Sequence, residues 1–241
     1  MNSRIKKTIP FICAGALALG CTVTGVMHRI TYPKAPVPQP GKKTVICIGD
    51  SITYGDGVRF KRKTESYPAC LQALLGDEYQ VLNYGLNGRT LLSEGDMPYT
   101  EEKFYGRSLQ VPADVVIIML GTNDSKPQNW NNENYLTELK QFTEAYMQTD
   151  PGAKVFLMQP SRCFPVGDEE IKYDISNDII AGDVYKDVAE AAQSLDAGLI
   201  DLYTFTEGHP EWFDDGIHPN AAGNRAIAEY ICGRLKECGI S

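Results

Sequence analysis

Residues 44–57 read TVICIGDSITYGDG. The run Thr44–Ile48 is apolar without alternation, which is the pattern of a strand covered on both faces, as in a parallel sheet. It ends on a serine and runs straight into a glycine-rich turn. A hydroxyl in that position can cap a helix, bind a phosphate or attack a carbonyl, and the rest of the chain has to select among these uses.

The same kind of run recurs at Gln80–Tyr84, Asp114–Leu120, Lys154–Met158 and Gly198–Leu202. Helical spacing fills the intervals. Tyr135, Leu136, Leu139, Phe142 and Tyr146 mark one amphipathic helix, and Ile180, Val184, Val188, Ala191 and Leu195 mark another. A shorter helix is predicted over Pro68–Leu75, with proline tolerated in its first turn. The last is predicted from about Asn220 to Glu237, with Ile227, Tyr230, Ile231 and Leu235 turned inward. Strands alternating with helices imply right-handed βαβ crossovers and an α/β fold: a three-layer α/β/α sandwich around a five-stranded parallel sheet. Such sheets bind ligands beyond the carboxyl ends of their strands, and Ser51 follows the first strand at that end.

With 241 residues, one domain with a sizeable core is expected. The net charge of −8 conceals an asymmetry, because residues 1–40 hold five bases (Arg4, Lys6, Lys7, Arg29, Lys34) and no acids. The remainder has 18 bases against 31 acids, so it lacks the basic footprint that nucleic acid requires. Arg4, Lys6 and Lys7 precede an uncharged stretch, Thr8–Met27, whose twenty residues would cross about 30 Å of hydrocarbon as a helix. Residues 1–30 therefore read as a signal peptide, a lipoprotein signal or an N-terminal membrane anchor. The segment ALGC at Ala18–Cys21 resembles a bacterial lipoprotein signal, with alanine where leucine is usual. Residues 31–43 read as a proline-rich extended linker, and residues 44–241 as the folded domain. An exported protein touching the membrane only through its N-terminal segment is expected. The five domain cysteines form no CxxC pair and no disulfide framework; Cys47 reads as a small buried hydrophobe, and a Cys232–Cys238 bridge is not expected.

A nucleophilic Ser51 needs a base, a group to orient that base, and donors for an oxyanion. Only His209 and His218 lie in the domain, both within GHPEWFDDGIHPN. His218 is preferred because Asp215 stands three residues before it, across a glycine. His209 has Thr206 at that offset and reads as a turn residue before proline. After the second strand the chain reads NYGLNGRT, where the Gly88 N–H is a candidate donor. After the third comes GTND, where Asn123 offers a side-chain amide.

Taken in order, GDSIT, N-x-G-x-x-G, GTND and DGIHP resemble the four blocks of the SGNH hydrolases, the subgroup of GDSL-type esterases named for Ser, Gly, Asn and His. The resemblance covers about residues 44–235. It implies a flavodoxin-like three-layer fold and serine ester hydrolysis, with Ser51 as nucleophile, Asp215 and His218 completing the triad, and Ser51 N–H, Gly88 N–H and the Asn123 amide forming the oxyanion hole. No cofactor and no metal are expected. The segment GTNDSKPQNW together with export is similar to bacterial enzymes that deacetylate glycans, so short acyl esters, acetyl above all, on carbohydrates are the expected substrates. A lysophospholipase or other lipid-directed esterase is the alternative within the family. A flavodoxin-like phosphate or nucleotide binder is the alternative outside it, although neither GxxxxGK[ST] nor GxGxxG occurs and Asp215-x-x-His218 would be idle.

Around the mouth, Tyr54, Trp130, Phe164, Trp212 and Phe213 are candidates to stack on sugars, or else ordinary loop packing. Arg89 and Arg162 follow the second and fourth strands and could hold an anionic group, or form salt bridges. Cys163 could line the pocket. Asp50 and Asp56 are expected to fix the serine loop by hydrogen bonds. Oligomeric state is not readable.

Overall fold

A computed structural model describes residues 33–240; the expected targeting segment lies outside them. From Ala35 onward the chain builds five strands: β1 (Lys43–Gly49), β2 (Tyr79–Gly85), β3 (Val115–Met119), β4 (Lys154–Met158) and β5 (Gly198–Ile200). All pairings are parallel, in the order β2-β1-β3-β4-β5. The α/β sandwich expected from the alternating runs is the observed architecture.

Continuous apolar runs are explained by cover on both sides. Ile46, Ile48, Val116, Ile118 and Leu157 pack with Leu139, Phe142 and Tyr146 of α1 (Asn132–Thr149) and with Val188 and Ala191 of α2 (Tyr185–Ser194). Their neighbours Val45, Cys47, Val115, Ile117 and Phe156 point the other way, onto Tyr67 and Leu71 of α3 (Tyr67–Leu75) and Ile227, Ile231 and Leu235 of α4 (Ala221–Glu237). Each such aliphatic side chain, fully buried, contributes about 1.5–3 kcal/mol. Capping sets where the long helices begin. The Asn131 side chain accepts from Glu133 N, and the Asn220 side chain accepts from Ala222 N and Gly223 N.

Two boundaries differ most from the sequence reading. The last apolar run is a strand only to Ile200, because the Asp201 carboxylate accepts from Thr204 N at 2.9 Å and starts a helix at Leu202. The stretch read as an extended linker outside the folded domain is seated on edge strand β2 from Ala35 onward. Gln80 pairs both backbone groups of Gln39, accepting from its N–H at 2.6 Å and donating to its carbonyl at 3.2 Å, and the Tyr84 hydroxyl donates to Pro36 O. A side-chain amide can thus stand in for a ladder partner that a proline-rich segment cannot supply. Among the described residues no helix is long and apolar enough to cross a membrane.

Candidate active site

The chain leaves β1 for β2 on one side and later returns to β3 on the other, so a crevice opens where β1 and β3 end. Ser51 stands there, as the first residue of a four-residue helix, Ser51–Tyr54. Asp50 caps that helix, its Oδ1 accepting from Ile52 N at 2.9 Å. The Ser51 hydroxyl is therefore not spent on capping, and at the first helical position its N–H has no intrahelical acceptor.

The hydroxyl meets His218, with Oγ 2.9 Å from Nε2, and the opposite nitrogen, Nδ1, lies 2.7 Å from Asp215 Oδ2. The second carboxylate oxygen, Oδ1, accepts from Ile217 N at 3.0 Å and His218 N at 2.8 Å. A carboxylate can turn back on a residue three further along only if the chain bends tightly between them. Gly216 supplies the bend at φ +84°, where an added Cβ would lie 2.1 Å from Phe164 O. Gly57 brings the serine loop against the histidine segment, since a Cβ there would lie 2.3 Å from Pro219 O. Both Ser51 and His218 are buried.

Their environments divide the charge. Partial burial works to raise the Asp215 carboxyl, but hydrogen bonds from the His218 side chain and backbone and the imidazolium charge hold it well below the usual carboxylate range. Burial works to lower His218, and the hydrogen bond and charge of Asp215, with the charges of Asp56 and Asp50, override it and raise it above 6.5. Asp50, fully buried, is pushed up to about 6 by desolvation.

At the end of β3, Asn123 Nδ2 donates to Arg89 O at 3.2 Å and makes a long contact, 3.4 Å, to Asp50 Oδ2. Asp124 beside it accepts from Leu91 N and Leu92 N at 3.1 and 2.8 Å, which clamps the loop after β2 to the loop after β3. Gly88 turns that loop at φ +79°. Asn87 before it donates to Asp56 Oδ1 at 2.9 Å, tying it to the serine loop as well. Asp215, His218 and Ser51 thus form one hydrogen-bonded relay, Asn123 reaches it through Asp50, the chain neighbour of Ser51, and Gly88 adjoins through its own two neighbours. Both Asp50 and Asp56 brace the serine loop, as expected. Beside His218 opens a cleft of about 480 Å³ lined by Asp56, Arg59, Phe60, Lys61 and Asp215 among others.

The family model of the GDSL-like lipase/acylhydrolases matches residues 47–226. The chain belongs to this family. Among relatives, an acetylxylan esterase of Xylanibacter ruminicola is 34% identical over 221 residues, covering 83% of this chain. The chain spans only 45% of that relative's length. Two solved structures share the fold: Est24, a carbohydrate acetylesterase from Sinorhizobium meliloti, and the aryl esterase of M. smegmatis. The first has a TM-score of 0.67 at 20% identity and covers 82% of this chain and all of its own. The second has a TM-score of 0.63 at 21% identity and covers 81% and 99%.

Several side chains expected at the mouth of this GDSL-like acylhydrolase are engaged elsewhere. Arg89 is fully buried, donates to Asn87 O at 2.5 Å and is paired with Glu102, so it braces the Gly88 loop from within. Arg162 pairs with Glu207 at 2.7 Å. Cys163 lies in a small core cluster with Ile175, Ile180, Tyr203 and Ile217, where burial raises its thiol far above the ordinary value. Tyr54 is buried beneath the Arg62 guanidinium, Trp130 packs on Tyr135, Phe213 is buried against Phe164, and Trp212 stacks on His209 at 3.7 Å. Tyr54 and Phe213 are buried, while Trp130, Phe164 and Trp212 are half-buried and packed on neighbouring rings. The Arg89–Glu102 and Arg162–Glu207 pairs are the salt-bridge alternative of the sequence reading, whereas the buried Asp124 clamp has no counterpart in it. The second acid of the GTND block was the one visible sign of the clamp. Among the described residues no three His, Cys, Asp or Glu side chains gather so as to hold a metal ion, and all five described cysteines are free thiols.

Proposed function

We propose that this chain is a serine esterase that removes short acyl groups, acetyl above all, from carbohydrates. The observation that carries the proposal is the relay from Asp215 through His218 to Ser51, with gaps of 2.7 and 2.9 Å. With Nδ1–H donated to Asp215, Nε2 is left as an acceptor, and the Ser51 hydroxyl points its proton there.

Ser51 Oγ attacks the ester carbonyl carbon as its proton passes to Nε2, and the Asp215 carboxylate stabilises the imidazolium. Negative charge collects on the former carbonyl oxygen. The Ser51 and Gly88 N–H groups and the Asn123 amide receive it; of the two Asn123 amide protons, the one on the long Asp50 contact is weakly held and available. His218 then gives that proton to the sugar's ester oxygen as the acyl C–O bond breaks, the sugar leaves as an alcohol, and the acyl-enzyme remains. Water attacks the acyl carbon, gives a proton to Nε2, and the carboxylic acid departs as Ser51 recovers its own.

Acetyl and sugar are supported by the acetylxylan esterase relative, and by a fold shared with a carbohydrate acetylesterase. Action outside the cytoplasm is part of the proposal, supported by the basic residues ahead of the uncharged Thr8–Met27 stretch. The test is fluorophosphonate labelling with intact mass and peptide mapping, alongside turnover of acetate, butyrate and octanoate esters and of acetylated xylan. One adduct on Ser51 with acetate preferred is expected. An octanoate preference would move the substrate to lipids, and a folded protein with neither adduct nor turnover would end the proposal.

A further inference from the structure

We propose that Phe60 and Tyr173 are a pair of aromatic platforms that hold a neutral sugar ring of the substrate beside His218, an inference that rests on the glycan-esterase reading above. The aromatics expected for this task are buried or already packed against neighbouring rings or a guanidinium. These two are not: Phe60 is 89% and Tyr173 64% exposed. They come from different loops near the histidine. Phe60 lines the cleft that His218 lines, and the Tyr173 ring stands edge-on to the imidazole with centroids 6.5 Å apart.

The backbone under Tyr173 gives independent support. Tyr173 has φ +62°, ψ +25°, and Asp174 follows at φ +58°. Two successive left-handed residues without glycine are uncommon, and a bulky side chain makes the first more so. The segment is held next to the ring: Ile175 is buried in the Cys163 cluster with Ile171 packed against it, and Ser176 N donates to Ser125 Oγ at 3.1 Å. Strain of this kind persists where surroundings impose it, and it gathers at ligand sites. Here it secures no burial for the ring. What it achieves is the ring's position next to the base.

Charge selects the occupant. The two cations of the cleft are already matched, Arg59 to Asp56 at 2.8 Å and Lys61 to Glu65 at 3.1 Å, and Asp214 and Asp215 line the same space. A phosphate-bearing or uronate ring would find no unmatched cation in this cleft, whereas the C–H face of a neutral pyranose needs only an aromatic face.

The experiment compares acetylated xylo-oligosaccharides with 4-nitrophenyl acetate in the wild type, Tyr173→Ala, Phe60→Ala and the double variant. The glycan-to-aryl ratio of kcat/KM is expected to fall roughly fivefold to tenfold per ring, with the loss on the glycan carried by KM. Tyr173→Phe should restore it. Tyr173→Gly should raise Tm, because glycine relieves the left-handed backbone, and still raise the glycan KM; a ring that merely supports the fold would lower Tm. An unchanged ratio in the double variant, or a wild type that cleaves aryl acetate and no neutral sugar ester, would overturn the platform pair alone. A wild type that cleaves neither ester would overturn the esterase reading and the pair with it.

Discussion

Replacing Asp215 by asparagine changes one atom of the relay and little else. The retained oxygen can still accept from Ile217 N and His218 N, the two bonds that shape the turn, so the loop should keep its form. The new amide nitrogen stands where Oδ2 was, 2.7 Å from His218 Nδ1, and it is a donor. Nδ1 must then accept, the ring proton moves to Nε2, and Nε2 presents a hydrogen to Ser51 where it had presented a lone pair. The imidazolium formed during attack also loses its counter-charge. Together these effects are worth on the order of 10⁴ in kcat, or about 5.5 kcal/mol at 1.36 kcal/mol per tenfold. The same variant should move the pH profile. In the wild type the Asp215 bond and charge raise His218 despite burial, so activity, which needs the neutral base, should rise through an acid limb above the ordinary 6.5. Without Asp215's charge, burial acts with less opposition and the limb should shift to lower pH. The assay is kcat/KM on 4-nitrophenyl acetate from pH 5 to 9, with a thermal melt to establish folding. A folded Asp215→Asn enzyme within tenfold of wild type, with its limb unmoved, would refute the reasoning.

Asn123→Ala should fold and lose about 10²–10³ in kcat; a near-normal rate would remove Asn123 from the oxyanion hole. Glu102→Ala leaves the buried Arg89 without its carboxylate and should cost about 3 kcal/mol, read by urea denaturation, and an unchanged midpoint would show that the guanidinium finds another partner. Stability should also fall as pH rises from about 4 to 7. Desolvation lifts Asp50 to about 6 and Asp124 to about 7 from an ordinary 3.8, so across that window the folded chain binds protons that the unfolded chain has released. The raised His218 acts in the same direction, while the depressed Asp215 matters only below it. Tm should therefore be higher at pH 5 than at pH 8, and an increase with pH would contradict the assignment.

The strands could be read because burial on both faces removes the polar alternation that otherwise confuses a short run. Gly198–Leu202 was read too long for a local reason: Asp201 inside an apolar run looks like a tolerated polar residue, and only its bond to Thr204 N reveals a cap. Only the Asp215–His218 half of the relay has a short fixed spacing, three residues across a glycine, whereas Ser51 is singled out by its place at the end of the first strand. Exposure is another matter. Phe60 and Trp212 are both aromatics in loops, and nothing local separates the one left in solvent from the one stacked on a histidine. Arg89 shows the same limit for charge. Its sign is visible in the chain, but its burial and its pairing with Glu102 depend on how the loop after β2 folds over itself.

Ser51 and His218 lie 167 residues apart in the chain, and what joins them is the docking of α4 on α3, pinned by Asn224 Oδ1 accepting from Tyr67 N at 2.7 Å. During synthesis the serine therefore emerges long before its base. A nascent chain, or one cleaved ahead of residue 218, carries an ordinary alcohol in a half-built crevice. The reactive hydroxyl comes into being only as the outermost layer closes. The esterase activity proposed above would consequently be a certificate of completed folding, withheld from every shorter intermediate.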